Sequence, residues 1–135
     1  MIELVSTTSQ TVLAGKAVPL TTVALHTGCA ERHRPSSSVV SLVKPGIYLI
    51  TANLDIAIPT GGTVEAITAA LVVEGEALPG SIMTSTPATV ENFNNVSTSH
   101  LVKVCFPCCV EVSIINNSTQ SILMQNVNLT VERKA

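Results

Sequence analysis

A turn signal at Pro45-Gly46 opens the most regular pattern of hydrophobic and polar residues in the chain. The apolar residues that alternate through the segment are Tyr48, Ile50, Ala52, Leu54, Ile56 and Ile58. The positions between them include Thr51, Asn53 and Asp55. Successive side chains of a strand point to opposite faces of its sheet, so this pattern predicts a long β-strand with one face on a core.

Shorter stretches of the same character recur between turn-forming residues. Further strands are predicted over Glu3–Ser6, Thr11–Ala14, Pro19–Leu25, Val39–Val43, Ser81–Thr86, Val96–Phe106, Val110–Ile115 and Ser121–Glu132. The side chains predicted to point inward from the last three are Val102, Val104, Phe106, Val110, Val112, Ile114, Leu123, Val127, Leu129 and Val131. Many short strands joined by turns are typical of an antiparallel sandwich or jelly roll. We expect one domain over 1–135, with entry strands and a His/Cys segment in 1–38 and the main sandwich in 39–135.

The segment Thr63–Glu74 is apolar on both of its alternating sides. Its alanines would tolerate a helix, but β-branched residues dominate and glycines lie at both ends, which favours a strand. A strand that is apolar on both faces has to be covered on both, and a partner subunit is the cover we expect here. The predicted subunit interface consists of Tyr48, Val64, Ala66, Ala70, Leu71 and Val72.

Composition limits the classes of function that remain. Charged residues are only 12% and hydrophobic residues 46%, which favours a homo-oligomer over a monomer with a Ser/Thr/Asn-rich surface. The net charge of −2, the absence of a basic run and an aromatic content of 2% argue against nucleic-acid binding. No apolar run is long enough to span a bilayer, and Met1–Ser6 does not resemble a secretory signal. We therefore expect synthesis in a reducing cytosol and no membrane insertion.

Potential metal ligands cluster in one short segment. They are His26, Cys29, Glu31 and His33. Zinc takes about four such donors, and a site formed by His26, Cys29 and His33 is one interpretation. The spacing matches no standard zinc motif, so an ordered surface loop in which Glu31 pairs with Arg32 or Arg34 is the favoured alternative.

The sequence Cys105-Phe106-Pro107-Cys108-Cys109 contains a Cys-x-x-Cys spacing, but no βαβ unit surrounds it as a thioredoxin-like site requires. Reduced thiols packed as small apolar side chains are favoured over a disulfide or a metal site. No Gly-x-Ser-x-Gly elbow, phosphate-binding loop or Ser/His/Asp pattern is visible. We therefore predict neither enzymatic activity nor a cofactor.

Four segments resemble the tumour-necrosis-factor-like jelly roll, which is also the fold of the globular head of complement's first component. They are Pro45–Tyr48, Ala70–Gly75, Val110–Asn117 and Asn128–Val131. The resemblance extends from about Val39 to Ala135. It implies an antiparallel jelly roll that assembles as a homotrimer.

The opening Met1–Val5 and the segment Leu25–Ala30 are similar to segments of small proteins of tailed phages and prophages of Gram-positive bacteria. This resemblance implies a trimer that decorates the capsid surface of a virion, or forms a short head-fibre knob, after synthesis in the host cytoplasm. The implied partners are the phage major capsid protein and host surface glycans. A carbohydrate- or receptor-binding surface module of a bacterium or prophage is the alternative.

Overall fold

The computed structural model describes residues 1–105 and 109–135, and these residues form two antiparallel β-sheets. None of them belongs to a helix that is long and apolar enough to cross a membrane. The strands are β1 Ile2–Ser6, β2 Gln10–Val12, β3 Thr22–His26, β4 Glu31–Arg32, β5 Val40–Leu42, β6 Gly46–Ala57, β7 Ile67–Val73, β8 Glu76–Ala77, β9 Met83–Ser85, β10 Asn94–Val104, β11 Val110–Asn116 and β12 Ile122–Arg133. The prediction of an all-β sandwich is confirmed.

Strands that are distant in the sequence lie side by side in both sheets. Sheet A has the order β10-β6-β12-β1-β3, and β2 adds to β12. Sheet B has the order β4-β5-β11-β7-β8, and β9 adds to β7. The residues before Val39 supply β1 to β4, which belong to both sheets. The sandwich therefore closes only when the two ends of the chain meet, since β1 pairs with β12.

The core lies between the two sheets, and β6 contributes its longest row of side chains. The inward residues of β6 are fully buried, and they are Tyr48, Ile50, Ala52, Leu54 and Ile56. On the opposite face Asn53 is exposed, as the alternation predicted. Full burial of one aliphatic side chain contributes about 1.5–3 kcal/mol, so this row is a major source of stability.

In β10 and β11, the residues that point toward the core are also the ones that were predicted to do so. Val102, Val104, Val112 and Ile114 are buried, and Val110 is half-buried against the core. Phe106, which was predicted to continue the row of β10, lies outside the described residues. Both strands therefore present the predicted face to the core over their described length.

A β-bulge in β12 changes which of its residues point inward. The register with β6 shifts near Asn126, whose φ of 49° is unusual for a residue other than glycine. Ile122 and Met124 are buried before the bulge, while Leu123 between them is only half-buried. The residues buried after the bulge are Val127, Leu129 and Val131. The prediction that Leu123 points inward is therefore wrong, because one extra residue reverses a pattern of period two.

The segment Thr63–Glu74 forms a strand over Ile67–Val73, so the preference for a strand over a helix is confirmed. Its two faces are both covered within the single chain. Leu71 lies in the core, and Ala70 on the other face is also fully buried. Val72 keeps 8% of its surface exposed and lies beside Ser113 in the register of β11.

The predicted subunit interface is therefore wrong at four of its positions. Tyr48, Ala70 and Leu71 have no exposed surface and Val72 almost none, so a partner subunit could not cover them further. The physical reason is that these side chains are already buried within the single chain, whereas an alternating pattern indicates only that they are covered and not which molecule covers them. Val64 and Ala66 precede β7 and remain exposed, and their place in an interface stays a prediction.

The buried Tyr48 hydroxyl donates a hydrogen bond to the Lys44 carbonyl oxygen at 2.7 Å. Burial raises the pKa of Tyr48 above its ordinary value of 10.0, and the hydrogen bond only partly opposes this. The unfolded chain therefore loses this proton at a lower pH than the folded chain. It follows that folding stability is lost as the pH rises from the ordinary pKa through the raised one.

We expect Tyr48→Phe to lower the free energy of unfolding near neutral pH by about 1 kcal/mol, because the hydrogen bond is lost. The difference between the two proteins should shrink above pH 10.0, where the wild type loses the stability linked to this proton. Urea unfolding at several alkaline pH values measures both effects. A constant difference across that range would contradict the prediction.

A second prediction concerns the two faces of β6. Leu54→Ala removes fully buried methyl groups and should cost about 2–5 kcal/mol of unfolding free energy. The matched control is Asn53→Ala on the opposite, exposed face, which should cost less than about 1 kcal/mol. Equal losses for the two variants, measured by urea unfolding, would show that the sandwich is not packed as described.

Candidate functional site

A groove with a volume of about 840 Å³ lies on the outward side of sheet B, beside its β4 edge. It is lined by His26, Arg32, His33, Arg34, Ser37, Val39, Ser41, Val43, Cys109 and Glu111. We call this feature the basic groove. Four of its side chains are arginines or histidines, although the whole chain has a net charge of −2.

Strand alternation and register explain the floor of the basic groove. Glu31 and Leu42 are buried toward the sandwich, so Arg32 and Ser41 point outward. Arg32 is opposite Ser41, and Ser41 is opposite Glu111. A cation, a hydroxyl and a carboxylate therefore form one row across β4, β5 and β11.

His33 connects two segments of the groove wall. Its Nδ1 lies 3.0 Å from the Val39 carbonyl oxygen and its Nε2 lies 3.0 Å from the Leu20 carbonyl oxygen. Both partners accept hydrogen bonds, so neither ring nitrogen has a lone pair directed at a metal ion. The geometry assigns His33 to holding the loop between β4 and β5 in place.

His26 differs from His33 in keeping one nitrogen available. Its Nε2 lies 3.0 Å from the Glu31 carbonyl oxygen, and its side chain is exposed at the groove. The described contacts of its ring include no partner for Nδ1. His26 can therefore add a hydrogen bond or, when protonated, a positive charge to the groove.

The two arginines carry most of the positive charge of the groove. Arg32 and Arg34 are exposed, and their guanidinium groups form neither a hydrogen bond nor a salt bridge with any described residue. Glu111 is the acidic residue in the lining. A planar guanidinium binds carboxylate, sulfate and phosphate groups through paired hydrogen bonds.

The predicted metal ligands do not converge on one point. Within residues 1–105 and 109–135, no three His, Cys, Asp or Glu side chains could hold a metal ion together. Cys29 is exposed, and the Lys44 ammonium donates to its sulfur at 3.5 Å. The metal interpretation for His26, Cys29 and His33 is therefore not supported by the geometry.

Glu31 was expected to pair with Arg32 or Arg34 at the surface, and this prediction is wrong. The Glu31 side chain is fully buried, and its Oε2 lies 2.9 Å from the N-terminal ammonium of Met1. Its Oε1 has no hydrogen-bond partner among the described residues. Alternation along β4 separates Glu31 from Arg32, because the two side chains point to opposite sides of the strand.

The cysteines also depart from the prediction of reduced, packed thiols. Cys29 and Cys105 are free, but both are exposed rather than packed. Cys109 forms a disulfide and lies at the groove. Cys108 lies outside the described residues.

A second surface of interest is the outward face of sheet A. One end of it carries exposed aliphatic side chains, since Ile47 and Leu101 are 41% and 62% exposed and Leu49 lies opposite Leu101. Two charged residues share this end, because Lys103 lies opposite Ile47 and Glu132 lies opposite Leu49. We call these aliphatic side chains the apolar end of the face. The strand β10 is at the end of the sheet order, so one of its edges has no paired strand among the described residues.

Polar residues cover the rest of that face and bind one another. Asn95 Nδ2 donates to Asn53 Oδ1 at 2.7 Å and to Asp55 Oδ1 at 3.0 Å. Asn128 Nδ2 donates to Glu3 Oε2 at 2.8 Å. These contacts link neighbouring strands and pair many of the polar groups of this face with one another.

Comparison with solved structures identifies the fold. The chain is similar to Eiger TNF from S. frugiperda, with a TM-score of 0.78, 10% identity, and coverage of 99% of this chain and 91% of that one. The globular domain of zebrafish complement 1qA protein has a TM-score of 0.68, 8% identity and coverage of 98% of both chains. PRD1 vertex protein P5 has a TM-score of 0.54, 15% identity, and coverage of 99% and 96%.

At these identities the similarity shows the fold alone, and the predicted antiparallel jelly roll of the tumour-necrosis-factor type is confirmed. No protein-family model matches the sequence, and no curated protein has a detectably similar sequence.

The basic groove was not predicted from the sequence, although part of its pattern was visible there. Arg32 and Arg34 are two positions apart, which places both on one side of an extended segment. Ser41 and Glu111 are distant in the sequence and join the site only through the register of β5 with β11.

The two histidines give a test of the groove wall. His33→Ala leaves two carbonyl oxygens without their ring partner and should lower the free energy of unfolding by about 1–3 kcal/mol. The control His26→Ala removes an exposed ring and should cost less. Urea unfolding with and without zinc measures both effects. Stabilisation by zinc that both variants abolish would contradict the structural role of His33 and restore the metal interpretation.

Proposed function

We propose that this protein is a trimeric structural component of a tailed-phage virion, where it decorates the capsid surface or forms a short head-fibre knob. The observation that carries the proposal is the outward face of sheet A. This face combines an exposed apolar end, a long strand edge with no paired strand among the described residues, and polar groups that are hydrogen-bonded to one another.

The apolar end requires an explanation in a chain with so few charges. Ile47 and Leu101 belong to neighbouring strands, and their exposed surfaces are joined through Leu49. Exposed aliphatic side chains grouped in this way are a feature of contact surfaces between molecules. A long open edge such as that of β10 is also a surface that native proteins usually cover.

A second copy of the same chain fits this face well. Its polar groups already have partners on the face, so their burial would leave few hydrogen bonds unmade. Self-association would cover Ile47 and Leu101, and closed homo-oligomers are the common form of such assemblies. A trimer is the oligomeric state that the tumour-necrosis-factor-like fold implies.

Two observations support a place on a virion. The fold is shared with a vertex protein of PRD1. The segments Met1–Val5 and Leu25–Ala30 resemble small proteins of tailed phages.

A carbohydrate- or receptor-binding surface module is the second candidate, because the basic groove is open and carries unpaired guanidinium groups. The two functions are compatible in one molecule, since the groove lies on sheet B and the proposed interface on sheet A. In both cases the proposed role is structural or binding rather than enzymatic.

The trimer is tested by measuring mass in solution. Light scattering should give about 42 kDa, three times the 14.1 kDa of one chain. Leu101→Glu places a charge in the apolar end and should shift the protein to monomer. Leu13→Glu is the control, because Leu13 is 59% exposed and follows β2, at the other end of β12. A monomeric wild type, or a trimer that survives Leu101→Glu, would refute the proposed interface.

The virion role is tested separately on particles induced from the source strain. The chain should remain with the capsids through a density gradient, and deletion of its gene should remove surface density seen by electron microscopy. Purified, intact particles that lack the chain would refute this role without affecting the trimer.

A further inference from the structure

We propose that the basic groove is a binding site for an anionic saccharide, whose carboxylate or sulfate group is held by Arg32 and Arg34. This inference goes beyond the virion role and does not depend on it, because the groove is formed within one chain.

The charge of the groove indicates an anionic ligand. Arg32 and Arg34 are two of only seven Lys and Arg residues in the chain, and both line the same groove without an ion-pair partner among the described residues. Glu31 on the same short strand is buried, so its carboxylate does not neutralise Arg32. The arrangement leaves the guanidinium groups available for an external anion.

The remaining lining indicates that the anion carries hydroxyl groups. Ser37, Ser41 and Glu111 line the groove, and His26 keeps Nδ1 available beside them. Serine hydroxyls can donate to and accept from the hydroxyl groups of a sugar, and the Glu111 carboxylate can accept from them, whereas Glu111 would repel a simple anion placed next to it. The row Arg32–Ser41–Glu111 therefore suits a molecule with an anionic end and a neutral, hydroxyl-rich end.

A peptide fits this lining less well. Peptides gain affinity from an unpaired strand edge or from apolar pockets for alternate side chains. The strand at this edge, β4, has only two residues, and Val39 and Val43 are the aliphatic residues of the lining. The described lining also contains no Phe, Tyr or Trp side chain, so charge rather than stacking on such a ring has to provide most of the affinity.

The shape of the site is fixed before a ligand arrives. His33 ties the loop after β4 to the Leu20 and Val39 carbonyl oxygens, and Ser37 Oγ accepts from the Val39 amide at 3.1 Å. A preformed site loses less conformational entropy on binding. If the protein is trimeric, three such grooves on one particle would strengthen weak binding through multivalency.

The test measures binding of a trigalacturonic acid and of a sulfated oligosaccharide of similar length by NMR titration of the whole chain. Maltotriose and inorganic sulfate are the neutral and the simple-anion comparisons. At least one acidic oligosaccharide should bind ten times more tightly than both comparisons, with weaker binding at higher salt. Tighter binding of trigalacturonic acid would identify the carboxylate as the recognised group, and tighter binding of the sulfated oligosaccharide would identify the sulfate.

Paired variants locate the site. Arg32→Gln with Arg34→Gln should weaken binding at least tenfold, while Lys16→Gln with Lys134→Gln, which changes the net charge equally, should alter it less than twofold. Urea unfolding confirms that both double variants stay folded. Equal binding of maltotriose, equal binding of inorganic sulfate, or unchanged affinity in the arginine variant would each overturn the proposal. None of these outcomes bears on the trimer measured by light scattering.

Discussion

The pairing of β6 with β10 on one edge and β12 on the other is the constraint on which the rest of the structure depends. It sets the face on which Tyr48, Ile50 and Leu54 meet the core, and it brings the C-terminal strand to the middle of sheet A. The strand β1 can then pair with β12, and the chain enters sheet B as β4 after β3. The positions of the other strands therefore depend on the pairing of β6 with β10 and β12.

The two candidate surfaces result from the same alternation of side chains. On sheet A the residues between the core positions of β6 form a flat, mostly polar face with an apolar end at Ile47 and Leu101. On sheet B the outward positions of β4, β5 and β11 form the row that contains Arg32 and Glu111. The groove is lined mainly by residues of sheet B and by His26 of sheet A, and it shares no residue with the apolar end at Ile47 and Leu101. This separation makes a structural role and a binding role compatible.

The hydrophobic pattern predicted most strands correctly, but it did not predict which molecule covers the strand within Thr63–Glu74. The apolar faces of Thr63–Glu74 indicated a strand buried on both sides, and the structure agrees. The pattern does not distinguish cover by a partner from cover by the same chain, because both bury the same side chains. Ala70 and Leu71 are covered by their own chain, as their full burial shows.

The sequence by itself determined the class of fold, the position of the long strand β6 and the faces of most strands, since alternation of period two is a local property of the chain. It also contained the short segments that resemble jelly rolls of the tumour-necrosis-factor type. The tertiary structure alone decided the bulge at Asn126, the burial of Glu31 and the meeting of Arg32 with Glu111. These features depend on register between strands that are distant in the sequence, and register is set by the packing of the whole sandwich rather than by any one segment.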